Sequence, residues 1–269
     1  MSELIVNNEL CIQCGICSDV CPTGVVVMGD QGPRAEDADF CVRCGHCVAV
    51  CPQGALSHQK APLEDQPEIA AYPVLDPETA TRFLRSRRSV RAYKPESVPQ
   101  EKLERLLDIA RFAPTGHNTQ GLSYLVISDQ ETLRNISRVT GDFLVKKAED
   151  GILPEKYSHL VKKVRAQGKD IILRGAPHLL LALAPKSFAI GRDNSRFSFA
   201  YTELYATALG LGTCWAGLVE IGINAEYELL LRLLDVPAGQ KVVAALMAGY
   251  PRVTYSRLAD RDPLRVTWR

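Results

Sequence analysis

Cys11-Ile12-Gln13-Cys14-Gly15-Ile16-Cys17-Ser18-Asp19-Val20-Cys21-Pro22 is answered 30 residues later by Cys41-Val42-Arg43-Cys44-Gly45-His46-Cys47-Val48-Ala49-Val50-Cys51-Pro52. Each copy reads C-x-x-C-x-x-C-x-x-x-C-P, and Gly24 and Gly54 also match. In this ligation pattern three closely spaced cysteines hold one four-iron cluster and the fourth, beside proline, serves the other. The expected ligand sets are therefore Cys11, Cys14, Cys17 and Cys51 for the first cluster, and Cys41, Cys44, Cys47 and Cys21 for the second. Two-residue gaps let a tight loop wrap the cluster with backbone N–H groups turned toward its sulfurs. Gly15 and Gly45 supply the unusual dihedrals such a loop needs, and Pro22 and Pro52 end it.

Other cysteine chemistries fit less well. Zinc takes pairs of Cys-x-x-Cys at longer separation. Disulfides need an oxidising compartment, and residues 1–10 lack the basic start of a secretory signal and carry Glu3 and Glu9. Eight of the nine cysteines lie in the motif, which suggests a reducing cytoplasm. Residues 1–60 resemble a bacterial two-cluster ferredoxin. Short strands are expected at 5–10, 25–28 and 55–58, with so little apolar core that the clusters must hold the module together.

The chain has 269 residues, room for this module and one further domain. The net charge of +1 argues against a nucleic-acid binder. It divides unevenly: residues 1–60 carry seven acids and three bases, so −4, leaving +5 for the rest. That basic excess could hold a phosphate ligand or be ordinary surface variation. No apolar run approaches the roughly 20 residues that span a bilayer. The segment 61–77, with Pro62, Pro67, Pro73 and Pro77, reads as a linker, either a stiff spacer or a loose tether.

From Asp76, a cap, and Pro77, at the first helical position, a helix is predicted to run into Ser86-Arg87-Arg88-Ser89-Val90-Arg91-Ala92-Tyr93. Arginine forks suit a phosphate dianion; the alternative is a solvated basic turn. A second helix over 98–112 places Leu103, Leu106, Leu107, Ala110 and Ala113 at helical spacing. It leads into Ala113-Pro114-Thr115-Gly116-His117-Asn118-Thr119-Gln120 and a strand over 124–128. A long helix over 194–211, with Phe197, Ala200, Tyr201, Leu204, Tyr205 and Ala208 on one face and Phe199 and Ala206 elsewhere, reads as central and buried. Gly210-Leu211-Gly212-Thr213-Cys214-Trp215-Ala216-Gly217 follows, then a helix over 225–234, a strand over 241–248, Gly249-Tyr250-Pro251 and the ending Arg261-Asp262-Pro263-Leu264.

The order of these segments resembles the nitroreductase family of FMN enzymes over residues 78–269. The fold this implies is α+β, a homodimeric nitroreductase-like α/β sandwich preceded by the small ferredoxin-like domain. The resemblance implies that Arg87, Ser89 and Arg91, with Arg88 through its backbone, hold the FMN phosphate and ribityl chain. Arg261 would add to the phosphate site, with Arg257 a second candidate. Pro114, Thr115 and Asn118 would reach FMN from the partner subunit. Backbone from Cys214 through Trp215 and Ala216 to Gly217 would lie beside the flavin ring, with an N–H of Ala216 or Gly217 near its reactive nitrogen. The tail 254–268 would wrap the partner.

Cys214 reads as a small buried hydrophobe rather than a nucleophile. His178, opening an apolar run, reads as structural, and His117 faces either solvent or substrate. The basic region 140–175 either shapes a substrate pocket or is a solvated helix pair. The implied activity is an iron–sulfur flavoprotein reductase. Two 4Fe–4S clusters would pass single electrons to FMN, which delivers two to an organic acceptor such as a nitroaromatic or quinone. No side chain need serve as an obligatory base. The donor is either a ferredoxin-type carrier or NAD(P)H taken directly at the flavin, since no Gly-x-Gly-x-x-Gly follows a strand. The alternative from another class is a non-catalytic electron-transfer or redox-sensing flavoprotein.

Overall fold

A computed structural model describes residues 4–69 and 75–269. Pro73, within the expected linker, and Glu3 lie outside the described residues. The chain divides into two compact units: Met1–Val74 with Gly116–Thr119, and Leu75–Thr115 with Gln120–Arg269.

In the first unit the cysteine repeat becomes a structural repeat. Strand β1 (Leu4–Val6), helix α1 (Ile16–Asp19) and strand β2 (Val26–Gly29) are followed by strand β3 (Gly32–Ala35), helix α2 (His46–Ala49) and strand β4 (Leu56–His58). β1 pairs antiparallel with β4, and β2 with β3. Each two-stranded ribbon thus takes one strand from each copy, which interlocks the halves. Strand β3 was not expected, because Gly32-Pro33-Arg34-Ala35 shows no alternation. The apolar core is small, a cluster of Cys17, Val26, Val48 and Leu56 with a few partly buried neighbours. The start of the expected linker belongs to this unit rather than to a spacer. Leu63 N–H donates to Ser57 Oγ at 3.2 Å, and Gln66 Nε2 to the Ala61 carbonyl at 3.0 Å.

The second unit opens with helix α3 (Pro77–Ser86), capped by Asp76, whose carboxylate accepts from Glu78 and Thr79 N–H at 3.0 Å each. Helix α4 (Gln100–Asp108) and a 3-10 turn follow, then strand β5 (Ser123–Ile127), helices α5 (Gln130–Glu149) and α6 (Lys156–Ala166), and strand β6 (His178–Pro185). Helix α7 (Gly191–Ala208), strand β7 (Gly212–Trp215), helices α8 (Gly217–Asn224) and α9 (Glu228–Leu234), and strand β8 (Gln240–Gly249) complete the elements. The strands form one antiparallel sheet in the order β5-β6-β8-β7.

Alternation along these strands builds two cores. Leu179, Leu181, Ala245, Met247 and Cys214 face one layer with α5, α6, α8 and α9. Leu180, Ala182, Ala244, Leu246 and Ala248 face the other, with α4 and α7. Because β6 is covered on both sides, its run is continuously apolar. The basic region 140–175 holds the end of α5 and all of α6. In these helices Lys146, Lys156, Lys162 and Lys163 are exposed while Leu133, Ile136, Val139, Phe143, Leu144 and Val161 are buried.

Helix α7 departs from expectation. Phe199 is fully buried, alongside Asn194, Ser195, Ser198, Thr202 and Ala206. The face carrying Phe197 and Tyr201 is instead 53% and 40% exposed in the single chain. Small hydroxyl residues permit close packing on the sheet, so they, and not the larger apolar ones, face inward. Ser195 and Thr202 also satisfy part of their polarity on the helix itself, Ser195 Oγ donating to the Arg192 carbonyl at 2.7 Å and Thr202 Oγ1 to the Ser198 carbonyl at 3.0 Å.

His178 is structural, as its position suggested. Its Nε2 accepts from Val98 N–H at 2.8 Å, so Nδ1 carries the proton and donates to Ser128 Oγ at 2.7 Å. Burial holds the ring's pKa below its ordinary value. A depressed folded value gives stability that is full above the unfolded pKa of about 6.5 and is lost as pH falls from there through the folded value. The second unit should therefore melt at lower temperature at about pH 5.5 than at about pH 7.5, by up to ~1.4 kcal/mol per pH unit from this group. Thermal melts of the wild type and His178→Gln across that range check it; equal slopes for both would remove His178 as the cause.

Candidate functional site

The first site lies in the cysteine module. Gly15 and Gly45 precede α1 and α2 with φ of 78° and 73°, and Gln13 and Arg43 sit at 57° and 55°. Identical left-handed steps in both loops wrap the chain around the space inside each. Cys11, Cys14, Cys17 and Cys51 line one cavity together with Met28 and Leu56. Three of these cysteines come from the first motif and one from the second. Around Cys47 the neighbouring thiols are Cys44, Cys41 and Cys21, again a crossed set. Burial, reinforced by those neighbours, pushes the Cys47 thiol up to about 11. Such a site is costly to ionise without a cation, and iron supplies that charge. Ala55 N–H donates to Cys51 Sγ at 3.3 Å. The cysteine chemistry, the crossed sets and the enclosed space fit four-iron clusters.

Within the same unit Asn118 Nδ2 donates to the carbonyls of Val42 and Arg43 at 3.1 and 3.0 Å. Asn118, expected to reach FMN, is thus engaged with the loop between Cys41 and Cys44. His117 and Asn118 both take positive φ, 51° each. Pro114 and Thr115 belong to the second unit, where Thr115 Oγ1 accepts from Gln120 N–H at 3.1 Å.

The second site forms where the arginine-rich segment meets the sheet edge. Ser89 bridges Thr213 of β7 in parallel, with Val90 N–H donating to the Thr213 carbonyl at 2.9 Å. Further along, Lys94 N–H donates to Tyr250 O and Arg252 N–H to Ala92 O, both at 2.9 Å. Segments 87–93 and 212–217, more than a hundred residues apart in sequence, are thereby adjacent. Arg87 pairs with Glu203 of α7 at 3.4 Å. Burial raises the Glu203 carboxyl, and Arg87 opposes the rise. Arg88 stacks over the Tyr255 ring at 4.7 Å. Arg88, Glu203, Thr213 and Tyr255 line a cleft of about 400 Å³.

Cys214 is 5% exposed and sits in the core layer. Burial raises its pKa against the opposing charges of Arg91 and Arg174, so it remains a neutral thiol at neutral pH. This matches the reading of a small hydrophobe. Trp215 points to the opposite layer, its ring edge-on to Phe199 at 5.6 Å. Ala216 N–H is committed to the Ala245 carbonyl at 2.9 Å. Gly217, the exposed first residue of α8, has an N–H that helix geometry leaves free. Arg261 lies on the exposed closing segment and donates to the neighbouring Asp260 carbonyl at 2.9 Å.

Two further residues of this unit stand out only in the structure. The buried Tyr93 hydroxyl has no hydrogen-bond partner among the described residues and stands in the field of Cys214, Arg174 and Arg91. Arg174 takes φ 59° immediately before Gly175, a strained step just ahead of β6. Its sequence signal was only one charge in a basic run.

Residues 84–250 match the Nitroreductase family and residues 10–56 the 4Fe-4S dicluster domain. The chain belongs to the nitroreductase family and carries a 4Fe-4S dicluster domain ahead of it. Nitroreductase NfnB of Mycolicibacterium smegmatis is 27% identical over 55% of this chain and 75% of its own length. Iodotyrosine deiodinase of Thermotoga neapolitana is 26% identical over 63% of this chain and 87% of its own. A nitroreductase with bound FMN from Desulfitobacterium hafniense superimposes with a TM-score of 0.57 at 18% identity, covering 72% of this chain and all of that one. Among the described residues no helix is long and apolar enough to cross a membrane.

Proposed function

We propose that the protein is an iron–sulfur flavoprotein oxidoreductase that takes up single electrons at two 4Fe–4S clusters and delivers them through FMN to a small organic acceptor. The observation that carries this is the presence, in one chain, of a complete two-cluster cysteine module and a nitroreductase-family domain. The first cluster takes Cys11, Cys14, Cys17 and Cys51, and the second Cys41, Cys44, Cys47 and Cys21. A flavin, when bound, supplies the exchange between one-electron and two-electron chemistry.

This chain's part is to bind and orient. The segment from Arg87 to Arg91 is clamped to β7 and offers guanidinium forks, and Arg87 keeps donors beyond the one that meets Glu203. The orphaned Tyr93 hydroxyl beside Arg91 and Arg174 fits a site completed by a polar, anionic group, since leaving such a hydroxyl unpaired costs about 1–3 kcal/mol. Gly217 at the start of α8 offers an N–H where a ring nitrogen gains charge. The exposed Phe197 and Tyr201 on α7, and Leu264 and Trp268 of the tail, supply an apolar surface suited to a second copy of the chain. A homodimer completing the flavin site is part of this reading.

Arg87→Ala and Arg261→Ala should each weaken flavin retention about 10- to 100-fold, the worth of one charge-assisted hydrogen bond. Flavin-to-protein ratios of purified variants measure this, and full occupancy in both would break the assignment. The reaction itself is tested by anaerobic rapid mixing of the intact protein with NADH, NADPH or a low-potential one-electron donor. Cluster bleaching ahead of flavin bleaching with the one-electron donor supports entry at the clusters. Fast flavin bleaching by the nucleotide alone assigns the donor role to NAD(P)H.

A further inference from the structure

The cysteine repeat breaks its own symmetry at His58. Matching positions lie 30 residues apart, so His58 in β4 corresponds to Met28 in β2, and Cys41 to Cys11. At the first copy Met28 and Cys11 line the same cavity. At the second, His58 Nε2 lies 3.7 Å from Cys41 Sγ. The role of Nε2 follows from the other ring nitrogen: Lys60 N–H donates to Nδ1 at 3.0 Å, so Nδ1 accepts and Nε2 carries the ring proton. That N–H donates to the Cys41 sulfur. His58 is 4% exposed, so water does not compete for the bond. Methionine has no donor to offer at the matching place.

A second asymmetry falls on the same side. Thr23 Oγ1 lies 3.8 Å from Cys21 Sγ, and a ligating thiolate has no proton, so the hydroxyl donates. Cys21 is the crossed fourth ligand of the set containing Cys41. Among the described residues no side chain donates to a sulfur of Cys11, Cys14, Cys17 or Cys51. Both side-chain donors therefore serve one cluster.

We infer that His58, aided by Thr23, is a tuning residue that makes the cluster held by Cys41, Cys44, Cys47 and Cys21 the more readily reduced of the two. Hydrogen bonds to cluster sulfurs are among the determinants of potential. Reduction adds one electron to the cluster, and a donor aimed at a ligand sulfur strengthens as that charge arrives. An electron entering the module comes to rest on the His58 side. This rests on the two-cluster reading of the module.

The test is an EPR-monitored redox titration of the holoprotein, with iron and sulfide content measured alongside. Content below two clusters in the native protein would fail the cluster reading itself, separately from the inference. With both clusters in place, His58→Met should lower the higher-potential cluster wave about tenfold in its reduction equilibrium, equivalent to about 59 mV for one electron, and leave the lower wave unmoved. Thr23→Val should shift the same wave in the same direction. Met28→His should raise the lower wave. Unmoved waves in His58→Met, or movement of the lower one, overturn the inference. Should His58→Met lose its clusters, pulsed EPR of native holoprotein with isotopically labelled histidine replaces it. Coupling of a histidine nitrogen to the cluster reduced first supports the inference, and coupling to the other cluster, or to neither, overturns it.

Discussion

Cys51→Ser should remove the cluster of the first motif and leave that of the second, although Cys51 belongs to the second motif. The cavity lined by Cys11, Cys14, Cys17 and Cys51 is the physical reason. β1 of one copy pairs with β4 of the other, which brings the proline-proximal cysteine of each motif to the opposite loop. Serine keeps the size of the side chain but offers a hard oxygen where iron prefers a thiolate. About half of the protein's iron should be lost, and the EPR signal that survives should be the one ligated by Cys41, Cys44 and Cys47. Cys21→Ser should do the converse. Loss of the second-motif cluster from Cys51→Ser would show that each motif keeps its own fourth ligand.

Gly212→Ala should detach the arginine segment from the sheet edge. A Cβ at Gly212 would stand 2.6 Å from Val90 Cγ2, 2.8 Å from its Cβ and 2.9 Å from its Cγ1. Val90 is 5% exposed and β-branched, so it has no rotamer to retreat into. Overpacking of this kind costs about 1–3 kcal/mol. The segment is held by the Val90 N–H bond to Thr213, so relief of the clash comes at the expense of the contact that positions Ser89 and Arg91. The second unit should melt about 2–12 °C lower, taking ~2–4 °C per kcal/mol for a domain of this size, and flavin retention should fall with it. Adding Val90→Ala should recover part of both losses, a coupling that a double-mutant cycle reads directly. An unchanged melting temperature and flavin content in Gly212→Ala would show that the segment is not seated on β7 in solution.

Much of the site was legible because its chemistry is written locally. Cysteine spacing specifies a loop around a cluster whatever surrounds it, and Asp76-Pro77 marks a helix start by its own hydrogen bonds. The long helix α7 was legible as a helix but not in orientation: periodicity gives a face, while which face turns inward depends on what packs against it. Phe197 and Tyr201 stand on the outer side because Ser195, Ser198 and Thr202 fit closer to the sheet. Strand β7 was read only as a glycine-rich passage, since four residues, Gly212–Trp215, carry too little alternation to declare a strand. Helix α8 was missed for a similar reason, as it begins directly after β7 with Gly217.

The sequence by itself determined the paired cysteine motifs of the dicluster domain and the family of the larger domain. These are encoded in spacing and residue type, which act over a few bonds. Only the tertiary structure decided that Ala216 N–H is taken by the Ala245 carbonyl, that the buried Tyr93 hydroxyl has no hydrogen-bond partner among the described residues, and that His58 lies against Cys41. Each of these depends on which atoms from distant segments meet in a desolvated space. Hydrogen-bond capacity is a property of the residue, but how it is spent is a property of the fold.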